Sequence, residues 1–246
     1  MGKSIRTRKT REQERRRART QRMLIATGAA VVLVIALIIV QQVTKGDSNR
    51  PDPSNLTGLA EVQAEFDGLT ETAGTIGESS AKVTITEYGD LRCPVCKTFD
   101  NEVVPTLVED LVRTGKAKLR FKTWAILGPN SVTAAQAAYA AREQNALWRY
   151  AALTYLNQGD ESVNWFTTAF ARSVAEAVGL DVAKFDTDRA SAAANAAIDQ
   201  VSTEATSLGF QGTPTIRVSG PAGAETVDAS LEAITAAVQK AGGTAG

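Results

Sequence analysis

The hydrophobic period changes twice between residues 81 and 124, and that limits the folds open to this chain. Residues 81–88, AKVTITEY, alternate apolar and polar, as a half-buried strand does. Val83, Ile85 and Glu87 fall on one face; Thr84, Thr86 and Tyr88 fall on the other. From Val95 the spacing becomes helical, with Val95, Phe99, Val103, Leu107 and Leu111 predicted to share a face. Pro105 lies inside that helix and is expected to kink it, because proline removes a backbone donor. Residues 117–124, AKLRFKTW, read as a strand again. Strand, helix, strand predicts a parallel βαβ unit, since parallel neighbours need a crossover.

A long Ala-rich helical stretch follows, at about 131–208. Ser131 is the expected cap of its first helix. Phe166, Phe170, Val174 and Val178 line another, closed by Gly179. Ile198, Val201, Ala205 and Leu208 line the last, closed by Gly209. TPTIRVSG and AETVDA then read as two strands around Gly220-Pro221-Ala222-Gly223. A final helix carries Leu231, Ile234 and Val238, and the trailing GGTAG is expected to be disordered.

The only two cysteines, Cys93 and Cys96, sit at the first strand-to-helix junction, and the chain has no histidine. A structural zinc site takes four Cys or His ligands, so a self-contained one is excluded, and no metal is expected. Lys97 follows Cys96, which removes the C-x-x-C-H pattern of haem attachment. A structural disulfide is the plain alternative, but a bridge between near neighbours closes a short loop and constrains the unfolded chain least. Redox chemistry explains the placement better. Pro94 suits the first helical turn, and the unpaired N–H groups and dipole of that turn favour a thiolate at Cys93. Cys96 lies one turn deeper, placed to resolve a mixed disulfide. Glu87 shares the face of Val83 and Ile85 and is expected beneath the cysteines, where a raised pKa lets it trade a proton with a thiol. An ordinary surface glutamate, or one paired with lysine, is the other reading.

Charge and hydropathy organise the N-terminal part. Residues 1–22 hold ten Lys or Arg against two Glu, although the whole chain is formally neutral. Met23 to Val40 then carries no charge and no proline over 18 residues, which suits a membrane-spanning helix of about 17–25 residues. No A-x-A cleavage pattern follows, so the segment reads as an uncleaved anchor. The basic flank stays in the cytoplasm, which places the rest outside. An adjacent span already accounts for the basic head, and no nucleic-acid partner is expected. The predicted organisation is therefore a basic cytoplasmic segment at 1–22 and an anchor at 23–43. An external linker at 44–70 follows, with a short amphipathic helix through Leu59, Val62, Phe66 and Leu69 that packs on the main domain. The folded domain takes 71–246.

VTITEYGDLRCPVCKTFDNEVVPTL resembles the DsbA-like, disulfide-bond-forming branch of the thioredoxin superfamily, in its membrane-anchored bacterial form. The matching features are Glu87 six before the first cysteine, Cys93-Pro94-Val95-Cys96, Lys97, and Pro105 nine past the second cysteine. FQGTPTIRV, at 210–218, resembles the second signature, and LGPNS and YLNQG also resemble such members. The similarity covers about 75–242. The resemblance implies an α/β thioredoxin fold with a helical domain inserted at about 130–209, behind a single transmembrane helix. The 118 positions between Cys96 and Pro214 leave room for that insert. It implies an extracytoplasmic thiol–disulfide oxidoreductase with Cys93, Cys96 and Glu87 catalytic. It further implies a cis Thr213-Pro214 bond facing the disulfide, and substrate contacts from Thr213, Pro214, Pro94 and Val95. Exported protein thiols are the implied substrates, and a quinone-linked membrane oxidase is the implied redox partner. The expected protein is a cell-membrane monomer with no cofactor. A reductase or isomerase fed by a membrane donor uses the same pair, and a non-catalytic binding domain with a structural disulfide is the third reading. Val95 departs from the family's frequent His or Tyr, and valine lacks the contact a histidine offers a thiolate. That argues against a strongly oxidising potential.

Overall fold

The computed structural model describes Leu33, Val34, Leu37 and residues 50–242. Leu33, Val34 and Leu37 are helical and exposed; the rest of 1–49, with the predicted basic segment and anchor, lies outside the described residues. So does the tail after Gly242. Among the described residues no helix is long and apolar enough to cross a membrane.

Residues 50–242 form a six-stranded sheet with helices around it. The strands are β1 (Glu71–Thr72), β2 (Thr75–Ile76), β3 (Val83–Gly89), β4 (Ala117–Thr123), β5 (Thr215–Gly220) and β6 (Gly223–Val227), in the order β1-β2-β4-β3-β5-β6. β3 and β4 are parallel, as the βαβ pattern predicts; every other pair is antiparallel. The β1–β2 hairpin escaped the sequence reading because two-residue strands carry no period. The helices are α1 (Leu59–Glu65), α2 (Pro94–Glu102), α3 (Val104–Leu107), α4 (Pro129–Arg142), α5 (Leu147–Leu156), α6 (Thr168–Ala177), α7 (Val182–Arg189), α8 (Ala192–Ser207) and α9 (Leu231–Lys240). The insert is α4 to α8, between β4 and β5, in agreement with the expected span.

The two faces of β3 separate as its alternation requires. Val83 and Ile85 join the main core, whereas Tyr88 packs on the other side with Trp124, Ala205 and Phe210. Tyr88 Oη donates to Glu204 of α8 at 2.7 Å, which ties the insert to the sheet. The short helix α1 packs on the domain through buried Val62 and Phe66, with the Phe66 ring 6.3 Å from Trp148 and Arg149 Nη2 donating to the Phe66 carbonyl at 2.8 Å.

Several sequence expectations are corrected. The interruption expected at Pro105 is present, but it is a break and not a kink. The helix after the cysteines stops at Glu102, with Val103 at φ −110, resumes as α3 at Val104, and widens to a π-turn over Val108–Val112. Pro105 excludes the regular helix just before it, and the wide turn then resets the phase. Phe99, Leu107 and Leu111 are buried as predicted and Cys96, Val104, Val108 and Val112 join them, whereas Val103 is partly buried and Val95, at the start of α2, is 61% exposed. Ser131 does not cap α4. That helix begins a residue pair earlier at Pro129, the position proline favours, and Ser131 is buried inside it, its hydroxyl without a partner among the described residues. Gly179 and Gly209 do close their helices, at φ 82 and 74, in the left-handed region that glycine occupies without a Cβ penalty. Leu208 is 39% exposed, and the fully buried residues of α8 are Ala194 and Ala205, so this helix approaches by its small side chains.

One long-range cap links the hairpin to the insert. Helix α5 has Ala146 before it and no side-chain cap of its own. Buried Glu71 supplies one from β1, its Oε1 accepting from the Leu147 N–H at 2.6 Å and its Oε2 from the Trp148 N–H at 3.1 Å. Burial pushes this carboxyl up to about 7, while the same two N–H groups and Arg149 pull it down. Glu71→Ala leaves two buried N–H groups without their acceptor. It is expected to destabilise the fold by about 1–3 kcal/mol, measured as a shift in chemical denaturation midpoint at unchanged slope.

Candidate active site

The site is built on the turn that carries β3 into α2. Asp90 holds that turn. Its Oδ1 accepts from the Arg92 N–H at 2.9 Å, and its Oδ2 accepts from the N–H groups of Ile126 and Leu127 at 2.9 and 3.2 Å. Its carbonyl accepts from the Cys93 N–H at 2.9 Å and from Tyr155 Oη at 3.2 Å. The next cation, Arg92, is buried, and its guanidinium donates to the carbonyls of Leu127, Glu161 and Val163 at 3.3, 2.9 and 2.8 Å. Gln158 Nε2 donates to the carbonyls of Leu91 and Cys93 at 3.0 and 3.2 Å. The insert is thus bonded directly to the cysteine turn.

Cys93 is the N-cap of α2 and Pro94 is its first residue. The Cys93 Sγ accepts from the Cys96 N–H at 3.4 Å, the bond a serine hydroxyl makes at other helix starts. Both cysteines are thiols, Cys93 being 6% exposed and Cys96 fully buried. The two sulfurs are electrostatically opposite. The Cys96 thiol donating toward Cys93 is the largest influence on Cys93; burial opposes it, the Thr213 side chain and then the N–H groups of Cys96 and Val95 assist it, and the result is about 6. Burial first, then the Cys93 contact and Glu87, push the Cys96 thiol far above the ordinary thiol range. One sulfur is therefore a thiolate at neutral pH and the other keeps its proton.

Opposite the pair, the Cys93 Sγ donates to the Thr213 carbonyl at 3.4 Å, and the Thr213-Pro214 peptide bond is cis. A carbonyl accepts only from the neutral thiol, so this contact shows where Cys93 points rather than what ionises it. Pro94 and Val95 form the exposed tip of α2 beside the sulfur. Beneath lies Glu87, fully buried, with neither carboxylate oxygen hydrogen-bonded among the described residues. Desolvation, then Asp100, then Cys93 hold it well above the usual carboxylate range. Gly89 makes room for it: a Cβ there would meet Glu87 Oε1 at 2.7 Å and the Phe121 ring at 2.9 Å.

All seven residues singled out in the sequence thus meet around one helix start. Sequence reasoning missed Asp90, Arg92, Tyr155 and Gln158. The Gly-Asp pair ending β3 was a usable signal for Asp90, because aspartate at a turn bonds the backbone two residues on. The other three act across long sequence separations and left no local trace.

A family model described as thioredoxin matches residues 69–240. A probable disulfide bond formation protein D of Bacillus cereus is 29% identical over 173 residues, spanning 69% of this chain and 80% of that protein. BdbD from Bacillus subtilis, oxidised, superposes with a TM-score of 0.62 at 21% identity, over 70% of this chain and 95% of that one. Reduced DsbA from Mycobacterium tuberculosis superposes with a TM-score of 0.53 at 23% identity, over 72% and 92%.

In the reduced protein, alkylation of Cys93 by iodoacetamide is expected to reach half its maximal rate near pH about 6, with Cys96 unmodified while the fold is intact. A midpoint at the ordinary thiol value of 9.0 would mean that the thiolate is not held.

Proposed function

The chain belongs to the thioredoxin family, on its DsbA-like side, and is a thiol–disulfide oxidoreductase; from that premise we propose that it is an extracytoplasmic dithiol oxidase for exported proteins. The apolar run at 23–43 anchors it and keeps it beside a quinone-linked membrane oxidase that restores the disulfide. The names of the disulfide bond formation relatives support this direction of electron flow. The observation that carries it is the Cys93 sulfur at the N-cap of α2, accepting from the Cys96 N–H at 3.4 Å, a position that favours the thiolate. Lowering a thiol to about 6 stabilises the reduced protein at neutral pH, and a pair whose reduced form is stabilised is an oxidant. The sign is that of any depressed acid. The stabilisation is complete above the unfolded value of 9.0 and is lost as pH falls through about 6.

The cycle follows from the asymmetry of the pair. A substrate thiolate attacks the Cys93 sulfur of the disulfide. The Cys93–Cys96 bond breaks, Cys96 leaves with the electron pair, and its high proton affinity makes it take a proton at once. A second substrate thiolate then attacks the substrate sulfur of the mixed disulfide. Cys93 departs as the held thiolate, the substrate has lost two electrons, and both enzyme thiols are reduced. The exposed tip of Pro94 and Val95 and the backbone at Thr213–Pro214 flank the sulfur, and these are the substrate contacts. Glu87 is the buried partner for the Cys96 proton. A reductase direction rests on one observation: Val95 places hydrocarbon where a hydrogen-bond donor would strengthen the thiolate.

The equilibrium potential against glutathione separates the two directions. A value of about −120 to −180 mV is expected for the oxidase, and about −270 mV would reverse the electron flow. Cys93→Ala is expected to abolish exchange, and full activity in that variant would defeat the enzyme reading. For topology, a membrane-impermeant maleimide is expected to label Cys93 in intact, mildly reduced cells; labelling only after lysis would place the domain inside.

A further inference from the structure

Three carboxyl groups on three different elements carry buried oxygens with no hydrogen-bond partner among the described residues. Glu87 sits on β3, Asp100 on the second turn of α2, and Glu65 at the last position of α1. Both oxygens of Glu87, Oδ2 of Asp100 and Oε1 of Glu65 are buried without a hydrogen-bond partner among the described residues. Buried polar atoms are nearly always paired, so three electrostatically coupled acids left this way call for a function. They are electrostatically linked in series: Cys96 feels Glu87, Glu87 feels Asp100, and Asp100 feels Glu65. Glu87 also feels Cys93, and from α5 Tyr155 feels Cys96, Glu87, Asp100 and Asp90. The ends differ in exposure. Glu87 and Asp100 are buried, whereas Glu65 is half-buried and reaches water.

We propose that Glu65, Asp100 and Glu87 form a proton path between solvent and Cys96, Asp100 and Glu65 being positioning residues that act through Glu87. This rests on the exchange reading above. When a substrate thiolate forms its bond to Cys93, the Cys93–Cys96 bond breaks and Cys96 keeps the electron pair. Glu87 gives Cys96 its proton, Asp100 restores Glu87, Glu65 restores Asp100, and water restores Glu65. One proton enters per disulfide opened, no further oxidant or reductant is consumed, and reoxidation runs the path outward. Unpartnered oxygens on successive acids are what direct or water-bridged hand-over needs. Burial supports the assignment: it pushes Glu65 up to about 7, where it exchanges protons with water near neutrality, and it raises Asp100 and Glu87 further inside.

The test is single-turnover reduction of the Cys93–Cys96 disulfide in the full chain by reduced glutathione, followed across neutral pH in water and in deuterium oxide. Asp100→Asn and Glu65→Gln are each expected to slow the opening by about tenfold at the alkaline end, less than the roughly 10²–10⁴-fold that a directly acting acid contributes, and to shift the pH profile in the same sense as Glu87→Gln. Combining either with Glu87→Gln is expected to add nothing further, because the three act in one path. Asp100→Glu returns the carboxyl and is expected to restore the profile. Alkylation of Cys93 in the reduced variants is expected to keep its wild-type pH midpoint. Glu65→Gln lies at the half-buried end of the route and is the variant least able to disturb the fold. Wild-type profiles in both Asp100→Asn and Glu65→Gln, with Glu87→Gln slowed, would overturn the path and leave the exchange reading standing. A uniform loss of rate without a profile change, not rescued by Asp100→Glu, would make these acids structural and also overturn it. A wild-type disulfide inert to glutathione would overturn the exchange reading itself, and the path with it.

Discussion

The carboxylate of Asp90 holds the turn on which the site depends. It binds three backbone N–H groups, one in the cysteine turn and two in the segment leaving β4, while its carbonyl holds the Cys93 N–H and the Tyr155 hydroxyl. A strand that must end, reverse its period and start a helix within four residues exposes backbone groups that neither element can satisfy. Asp90 satisfies several at once, and in doing so it ties β3, β4 and α5 to the position of one sulfur. Arg92 and Gln158 extend the same arrangement into the insert, binding five carbonyls between them. The insert is thereby part of the site and not an appendage to the sheet.

The chemistry follows from depth. Cys93 and Cys96 are three residues apart and chemically identical, yet one is the cap of a helix and the other is inside it. The cap receives N–H groups and a thiol, all of which favour negative charge. The interior position receives hydrocarbon and a neighbouring acid, which favour a retained proton. A held thiolate and a retained thiol are distinguished by about one helical turn.

Much of this was legible in the chain. The parallel β3–α2–β4 unit, the burial of Glu87, the place of Cys93 at a helix start and the helical stretch after β4 all follow from local spacing, and the family resemblance implied that this stretch is an insert. Period and turn chemistry are carried by neighbouring residues. The failures have two causes. Val95 fits a helical apolar period but faces solvent, Ser131 looks like a cap but lies inside α4, and Leu208 continues a stripe that the fold does not bury. Pro129, two residues before Ser131, sets the start of α4, whereas the exposure of Val95 and Leu208 is decided by where other elements pack, which is not encoded near either residue. The hairpin of β1 and β2 was too short to show a period, although its Glu71 caps a helix 76 positions away.

What the sequence by itself determined is the reactive pair, the turn that presents it and the alternation that puts a carboxyl beneath it, because these depend on contacts within a few residues. Tertiary structure alone decided what surrounds them: the Thr213 carbonyl at the sulfur, the Asp90 and Arg92 bonds that brace the turn, and the line of acids from Glu87 to Glu65. Those groups come from segments far apart in the chain, and only the closing of the sheet around β3 brings their charges within range of one another.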